Sequence, residues 1–311
     1  MSESSFIQSL RALATHSAAR GLLDDAAVLD IGDRSLVLTH DMLVEGVHYL
    51  PDDPPADVAW KLLAVNLSDL AAKGARPLGI LLGYSLGDDE WDEAFVSGLG
   101  TALAAFGLPL LGGDTVRGDG PRTLALTALG EARVPVPSRA GGQAGDHLWV
   151  SGTIGDSGAG LRGLKGEIPQ DPLLVERYRN PRPRLEAGQR LAPLVGAMMD
   201  VSDGLLIDAS RLAGASGVAA EIDLASLPLS EALLAVSGGG LDARLAAATA
   251  GDDYELLFAA APELAAEILA LQDELGLPFS RIGTLGEGSS LSLTDSGKPA
   301  PLPPRLGWVH C

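Results

Sequence analysis

The chain has 311 residues, of which 22 are Lys or Arg and 41 are Asp or Glu, so its formal net charge is −19 at pH 7. This length suits two domains. A hydrophobic fraction of 46% against 20% charged residues excludes a disordered acidic chain. The negative charge argues against nucleic acid and an anionic membrane as partners, because binding to either needs Lys and Arg.

Cysteine usage and apolar runs limit the cellular setting. The single cysteine, Cys311, cannot form an internal disulfide and excludes a cysteine-based zinc site. The longest apolar run, around residues 78–86, is interrupted by Gly79 and Gly83 and is far shorter than the roughly 20 residues of a transmembrane helix. Glu3 is acidic, whereas this part of a signal peptide carries basic residues, so no signal peptide is expected. We therefore expect a soluble, cytoplasmic protein.

Apolar periodicity, punctuated by Gly and Pro, predicts alternating helices and strands through the first half. Helices are expected over residues 6–19, 57–73 and 90–106, and strands over residues 26–31, 35–39, 78–86 and 123–129. Gly74 is placed to end the second helix. Residues 1–135 are thus predicted to form an α/β domain.

A segment rich in Pro, Gly and small residues, VPVPSRAGGQAG at 134–145, is the candidate linker. After it, strands are expected over residues 147–151, 197–201, 218–222, 254–259, 281–285 and 291–294. Helical stretches separate most of them, so residues 145–311 are predicted to form a second α/β domain. The predicted fold class is therefore α/β, with α+β character, in two domains.

Aspartates carry most of the functional signal. Those at predicted strand ends are Asp25, Asp41, Asp114, Asp200 and Asp203. Ligands gather at strand ends in open α/β sheets, and converging carboxylates repel one another by about 4 kcal/mol at 4 Å and an effective dielectric near 20. Each aspartate alone more often caps a helix or a turn, but the set indicates an oxygen-lined site for Mg²⁺. Asp69 lies within an apolar predicted helix. It either belongs to the solvated face of that helix or contributes to the same site.

Other phosphate-binding signals are weaker. The chain has no Walker A motif, since the Gly297-Lys298 pair is followed by Pro299, and it has no protein-kinase motifs. The glycine-rich residues 150–160 follow a strand and open a helix, so they could bind an anion or form a plain tight turn. A basic cluster could close over phosphates or form a solvated face between the domains; its members are Arg177, Arg179, Arg182 and Arg184.

Three segments together carry a family resemblance: DDAAV at 24–28, THDMLVEGVHYLP at 39–51 and LAVNLSDLAAKGA at 63–75. Further matches are GGDT at 112–115, SR at 138–139, DVSDGL at 200–205, DDYEL at 252–256 and GWVH at 307–310. In this order they resemble the thiamine-monophosphate kinase family of the aminoimidazole-ribonucleotide synthetase superfamily. The resemblance extends from about Phe6 to His310.

The resemblance implies phosphorylation of thiamine monophosphate to thiamine diphosphate by ATP, in a direct in-line transfer assisted by Mg²⁺. The family's metal positions match Asp25, Thr39, His40, Asp41, Asp69, Asp114, Asp200 and Asp203, and Asp41, Asp69 and Asp203 are the expected catalytic residues. Positions near ATP match Gly113, Asp114, Arg139 and Ser202, and those lining the thiamine phosphate site match His48, Asp252 and Trp308. Members of the family are homodimers that pack their N-terminal sheets together, so a homodimer is expected.

The chain departs from the family pattern at three positions. His40 stands where the family usually has Thr or Ser, Asp252 replaces a Glu, and Cys311 replaces an aromatic residue. Two alternatives stay open. One is another ATP-using enzyme of the superfamily, such as an aminoimidazole-ribonucleotide or selenophosphate synthetase, and the other is a non-catalytic nucleotide- or metal-binding protein.

Overall fold

Helices and strands alternate along most of the chain in the structure, a computed structural model that describes residues 3–309. The helices are α1 (Glu3–Leu10), α2 (Pro55–Ala72), α3 (Asp89–Phe106), α4 (Asp156–Leu164), α5 (Pro172–Arg179), α6 (Leu185–Leu191), α7 (Leu205–Ser216), α8 (Glu231–Ser237), α9 (Leu241–Thr249) and α10 (Ala265–Leu275). The strands are β1 (Ala27–Ile31), β2 (Arg34–Val44), β3 (Arg76–Ser85), β4 (Leu110–Val116), β5 (Thr123–Ala132), β6 (His147–Ser151), β7 (Ala197–Asp200), β8 (Ala219–Asp223), β9 (Leu256–Ala260), β10 (Phe279–Gly286), β11 (Leu291–Asp295) and β12 (Lys298–Ala300). Short 3₁₀ helices cover Ser17–Leu22, Leu224–Ser226 and Pro262–Leu264.

The first half contains a five-stranded sheet in the order β1-β2-β5-β3-β4. All neighbouring strands are antiparallel except β3 and β4, which are parallel. Residues of β5 alternate between buried and partly exposed along the whole strand, as expected when one face of a sheet is covered and the other is open. Helix α2 packs against the covered face, and β4 forms an edge whose residues are all exposed.

Helix α2 lies at the centre of the molecule. Between Val58 and Ala72 every residue except Trp60 is buried, because the helix contacts the first sheet on one side and α6 and β7 of the second half on the other. At its C-terminal end Gly74 has φ +59, and a Cβ there would lie 2.5 Å from Cβ of Ala192. Glycine is therefore required for both the left-handed turn and the close approach.

The second half contains a seven-stranded mixed sheet in the order β12-β11-β8-β10-β6-β9-β7. Strands β7 and β9 are buried along their full length, which accounts for sequences that are apolar except for Asp200 at the end of β7. Ala71 and Ala72 of α2 pack into an apolar cluster with Trp149 and Phe258, whose rings stack with centroids 6.4 Å apart. A shared core thus joins the two halves.

The predicted two-domain α/β fold is confirmed, with local corrections. The helix expected over residues 6–19 ends at Leu10, and a 3₁₀ segment follows in which Arg20 and Leu22 have positive φ. The strand expected over residues 254–259 begins at Leu256, because Tyr254 has φ +52, which is incompatible with a strand. Among residues 3–309 we find no helix whose length and apolar character would let it cross a membrane.

Two predicted site residues lie inside strands and not at their ends. Strand β2 continues to Val44, so Asp41 occupies its interior. Asp114 lies within β4 for the same reason. The argument from strand ends therefore applies to Asp200, which is the last residue of β7, and to Asp203, which lies in the turn between β7 and α7.

Candidate functional site

A cavity of about 780 Å³ lies between the two halves of the molecule. It is lined by segments that are far apart in sequence: β2 and α2 from the first half, and α4, the β7–α7 turn and the residues before β9 from the second. The predicted site residues that line it are Asp25, Asp41, His48, Asp69, Arg139, Asp200, Ser202, Asp203, Asp252 and Trp308. The fold therefore brings most of the predicted site residues to one place.

Three carboxylates converge on one wall of this cavity. Asp25 precedes β1, Asp69 lies near the end of α2 and Asp200 ends β7. Each offers an oxygen atom, and these atoms all lie within 4.8 Å of one another. A divalent cation bound by oxygen ligands is the group that such a set can hold.

Burial disfavours the ionised form of the carboxylates in this cluster. Burial, reinforced by the charges of Asp41, Asp200 and Asp25, raises the pKa of Asp69 well above its ordinary value. Burial and the charge of Asp25 raise the pKa of Asp200 to about 8. Burial likewise raises the pKa of Asp41 to about 6, with Asp25 and Asp203 adding to the effect. An added cation would favour the ionised form of all three groups, so the donor set fits Mg²⁺.

Neighbouring donors orient two of these carboxylates. Thr39 donates its hydroxyl to Asp69, and Ser68 donates its hydroxyl to Oδ2 of Asp200 at 2.6 Å. Thr39 therefore lies beside the cavity although it does not line it. Both contacts restrict the rotation of acids that would otherwise repel one another.

Asp25 differs from the other two carboxylates because cations of the protein already hold it. Nζ of Lys73 lies 2.7 Å from its Oδ2, and Nε of Arg139 donates to its Oδ1 at 2.8 Å. Lys73 is fully buried and also lies 2.5 Å from Asp24, whose pKa falls to about 2; burial alone would raise it, and contacts with Lys73 and Arg20 outweigh that effect. A metal ion bound by Asp25 would thus share this carboxylate with Lys73 and Arg139.

The turn after β7 is shaped by Asp208, a residue that sequence reasoning missed. Its Oδ2 accepts hydrogen bonds from the backbone N–H groups of Ser202, Asp203 and Gly204 at 3.1, 3.1 and 3.2 Å. Arg211 pairs with Asp208 at 2.8 Å and with Asp203 at 2.5 Å. The signal for this role was an acid in the first turn of a helix, where it caps free N–H groups.

The residues expected to bind thiamine phosphate also line the cavity. Nδ1 of His48 accepts a hydrogen bond from the backbone N–H of Val44 at 3.0 Å, which puts the proton of a neutral ring on Nε2. The backbone N–H of Trp308 donates to the carbonyl of Asp203 at 2.8 Å. Asp252 accepts from Lys61 at 2.7 Å.

Three predicted residues lie away from the cavity. The side chain of His40 is on the open face of the first sheet, where it contacts the hydroxyl of Thr127 at 2.8 Å, because successive side chains of a strand point to opposite faces. Gly113 and Asp114 lie on the exposed edge strand β4. Within one chain, neither Gly113 nor Asp114 joins the residues that line the cavity.

In both of the weaker candidate phosphate-binding segments, groups that could bind an anion contact carboxylates of the chain itself. The backbone N–H of Gly155, at the start of α4, donates to both oxygens of Asp253 at 3.0 and 2.9 Å. The anion at this helix N-terminus is therefore a carboxylate of the chain itself. In the basic cluster, Arg179 pairs with Asp53, Arg182 with Glu176 and Arg184 with Glu255.

Comparison with known proteins gives matches over nearly the whole chain. The family model for AIR synthase related protein, N-terminal domain, matches residues 23–132, and that for the C-terminal domain matches residues 143–296. The chain is 42% identical over 301 residues to the thiamine-monophosphate kinase of Caulobacter vibrioides, an alignment that covers 94% of this chain and 85% of the relative.

Two solved structures extend the similarity to the fold. The thiamine-monophosphate kinase of Stenotrophomonas maltophilia K279a superposes with a TM-score of 0.79 at 39% identity, covering 95% of this chain and 96% of that one. The structure of AaThiL complexed with AMPPCP and TMP superposes with a TM-score of 0.87 at 31% identity, covering 100% of this chain and 97% of that one.

Proposed function

The chain belongs to the family of thiamine-monophosphate kinases, and we propose that it transfers the γ-phosphoryl group of ATP to thiamine monophosphate. A phosphate oxygen of thiamine monophosphate forms a bond to the γ-phosphorus of ATP. The bond between the γ-phosphorus and the oxygen that joins it to the β-phosphorus breaks, and that oxygen leaves with ADP. The products are thiamine diphosphate and ADP. The observation that carries the proposal is the convergence of Asp25, Asp69 and Asp200 in a cavity large enough for both substrates.

The residues present suit this chemistry. The acceptor is already an ionised phosphate, so the reaction needs no strong general base. The main task is to align two polyanions and neutralise their charge. We assign Asp41, Asp69 and Asp203 as the catalytic residues, which would act by holding the cations that neutralise and align the phosphates. Arg139 would place a guanidinium group beside the phosphates of ATP.

The proposed cofactor is Mg²⁺, and the oxygen donors with raised pKa values support it. The proposed ligands are Asp25, Thr39, His40, Asp41, Asp69, Asp114, Asp200 and Asp203. His40 would contribute through its backbone oxygen, since its side chain lies on the other face of the sheet. When bound, Mg²⁺ supplies positive charge that neutralises and aligns the phosphates.

The two substrates would occupy different parts of the cavity. We assign ATP to Gly113, Asp114, Arg139 and Ser202, and thiamine monophosphate to His48, Asp252 and Trp308. The complex of AaThiL with AMPPCP and TMP supports this pair of ligands. Because Asp114 lies on an exposed edge outside the cavity, its part in the site would depend on a second copy of the chain.

A homodimer is therefore part of the proposal. Large apolar side chains on the neighbouring strands β3 and β4 of the first sheet are exposed, namely Leu81, Leu111 and Val116. Exposed apolar surface of this kind is typical of a protein–protein interface. We propose that the first sheet packs against its equivalent in the second copy.

The location and the domain boundaries complete the proposal. The first sheet ends at Ala132 and the second begins at His147, which supports domains of residues 1–135 and 145–311. A cytoplasmic location agrees with the need for ATP.

The test is a product assay with purified protein, ATP, Mg²⁺ and thiamine monophosphate. We expect thiamine diphosphate and ADP in equal amounts, separated by chromatography. Asp41→Asn and Asp203→Asn should lower kcat by about a hundredfold or more. Asp273→Asn, an exposed acid on α10, is the matched control. ATP binding without turnover would favour the non-catalytic alternative, and ADP release only with another acceptor would favour a different enzyme of the superfamily.

A further inference from the structure

Lys61 is a buried lysine next to residues that we assign to thiamine monophosphate. No role in the proposed reaction yet explains its burial. It lies on α2 and is only 2% exposed. Burying an ammonium group is costly unless the group is paired and hydrogen-bonded. The partners of Lys61 therefore indicate what it does.

Those partners belong to the part of the cavity assigned to thiamine monophosphate. Nζ of Lys61 donates to Oδ2 of Asp252 at 2.7 Å and to the backbone carbonyl of His48 at 3.1 Å. The same atom lies 4.0 Å from the ring centroid of Tyr178, which also lines the cavity. One ammonium group thus joins three separate segments around the substrate side of the site.

Asp252 is held from its other side as well. The hydroxyl of Tyr254 donates to Oδ1 of Asp252 at 3.0 Å, so each carboxylate oxygen has a donor. Asp252 and Tyr254 both have positive φ, +67 and +52, a conformation that costs energy for residues other than glycine. Hydrogen bonds from their N–H groups to the carbonyls of Ser202 and Val201, each 2.8 Å, maintain this backbone.

The contact also crosses the boundary between the two halves. Lys61 comes from the first half, and Asp252 and Tyr178 come from the second. A second cross-contact lies nearby, where Arg179 pairs with Asp53 at 2.8 Å. The position of the Asp252 carboxylate therefore depends on how the two halves meet at α2.

We propose that Lys61 is a positioning residue that holds the Asp252 carboxylate in the orientation in which it contacts thiamine monophosphate, an assignment that rests on the proposed function. The substrate offers a cationic thiazolium ring and an aminopyrimidine that donates hydrogen bonds. The Asp252 side chain is 31% exposed, so it is accessible to either group. Lys61 does not line the cavity and acts through Asp252.

The test is a double-mutant cycle measured by steady-state kinetics. Lys61→Met removes the ammonium group and retains the length of the side chain. Because a hydrogen bond between two charged groups is lost, the KM for thiamine monophosphate should rise about tenfold to a hundredfold. The KM for ATP should change less than about twofold, since the contact is local to the thiamine side. Lys61→Arg, which retains the ion pair, should recover most of the affinity.

The second arm of the cycle separates positioning from a purely structural role. In an Asp252→Asn background, Lys61→Met should raise the KM for thiamine monophosphate by less than about twofold more, because residues that act through one contact are not additive. Lys165→Met, an exposed lysine after α4, is the matched control and should behave as the parent protein. Thermal melting of each variant verifies folding, and Lys61→Gln replaces Lys61→Met if the latter does not fold.

An unchanged or lower KM for thiamine monophosphate in Lys61→Met would overturn the assignment, as would fully additive effects in the double variant. These results leave the proposed function intact if the parent protein forms thiamine diphosphate. Absence of product with the parent protein would instead contradict the proposed function. The two failures are therefore distinguishable in one set of assays.

Discussion

Nζ of Lys73 lies 2.7 Å from Oδ2 of Asp25, and neither side chain is exposed to solvent. The same ammonium group contacts Asp24 at 2.5 Å. Lys73 is thus a fixed cation beside Asp25, one of three converging carboxylates, and the other two, Asp69 and Asp200, have raised pKa values. The protein neutralises part of the carboxylate cluster itself and leaves the rest for a bound ion.

Metal dependence of stability follows from this arrangement. Mg²⁺ should raise the Tm of the protein relative to EDTA, since an ion that binds only the folded cluster stabilises by about 2.7 kcal/mol at a concentration of 100 Kd. Lys73→Met should lower the stability in EDTA by about 3 kcal/mol, because two buried carboxylates each lose one of their two cationic partners. Its Tm should then rise more with Mg²⁺ than that of the parent protein. An equal increase in Tm with Mg²⁺ in Lys73→Met and in the parent protein would contradict the prediction. Lys165→Met is the control.

The stability of the metal-free protein should fall as the pH rises from about 4 to about 8. Burial raises the folded-state pKa of Asp41 to about 6 and that of Asp200 to about 8, from 3.8 when unfolded. The folded state therefore binds more protons than the unfolded state in this interval, and stability is lost as these groups ionise. Thermal melting in EDTA at pH 5 and pH 8 measures the effect. Mg²⁺ should reduce the difference, and a higher Tm at pH 8 in EDTA would contradict the assignment.

Asp208 should be essential to the turn that carries Ser202 and Asp203. Asp208→Ala leaves three backbone N–H groups without their acceptor and removes one of the two carboxylates that pair with Arg211. We expect a loss of about 1–3 kcal/mol in the free energy of unfolding, which is typical when a buried donor is left without its acceptor. The lost contact with Arg211 adds little, because that side chain is 35% exposed. Urea denaturation measures this loss. Asp273→Ala, on the exposed surface of α10, should change stability by less than about 0.5 kcal/mol.

The proposed dimer predicts a mass of twice 31.9 kDa by light scattering. Val116→Arg on β4 should shift the protein toward the single-chain mass, because Val116 is 57% exposed in one chain and a buried unpaired guanidinium opposes association. Leu269→Arg tests an apolar residue of similar exposure, 45%, on the second half and should leave the mass unchanged. A single-chain mass for the parent protein at all concentrations would contradict the dimer.

Local sequence determined the two α/β halves and the segments that carry the site. The long apolar run of α2 and the alternation in β5 are periodic signals that neighbouring residues generate by themselves. The aspartate motifs could be found in the same way, because chemistry of this kind requires particular residue types at short spacing. Where a signal depended on a few residues, as at residues 11–19 and at Tyr254, backbone conformation in the structure differed from the prediction.

Only the tertiary structure decided which of these residues meet. Asp69 and Asp200 approach one another because α2 packs between the two halves, a contact between distant segments that no local pattern contains. Successive side chains of a strand point to opposite faces, but only packing decided that Asp41 faces the cavity while His40 lies on the open face. Lys61 lies within α2 and Lys73 directly follows it, and the partners of both became visible only when the halves were assembled. The sequence alone thus identified the chemistry and the family, while packing determined the geometry of the site, because burial and charge pairing depend on neighbours in space.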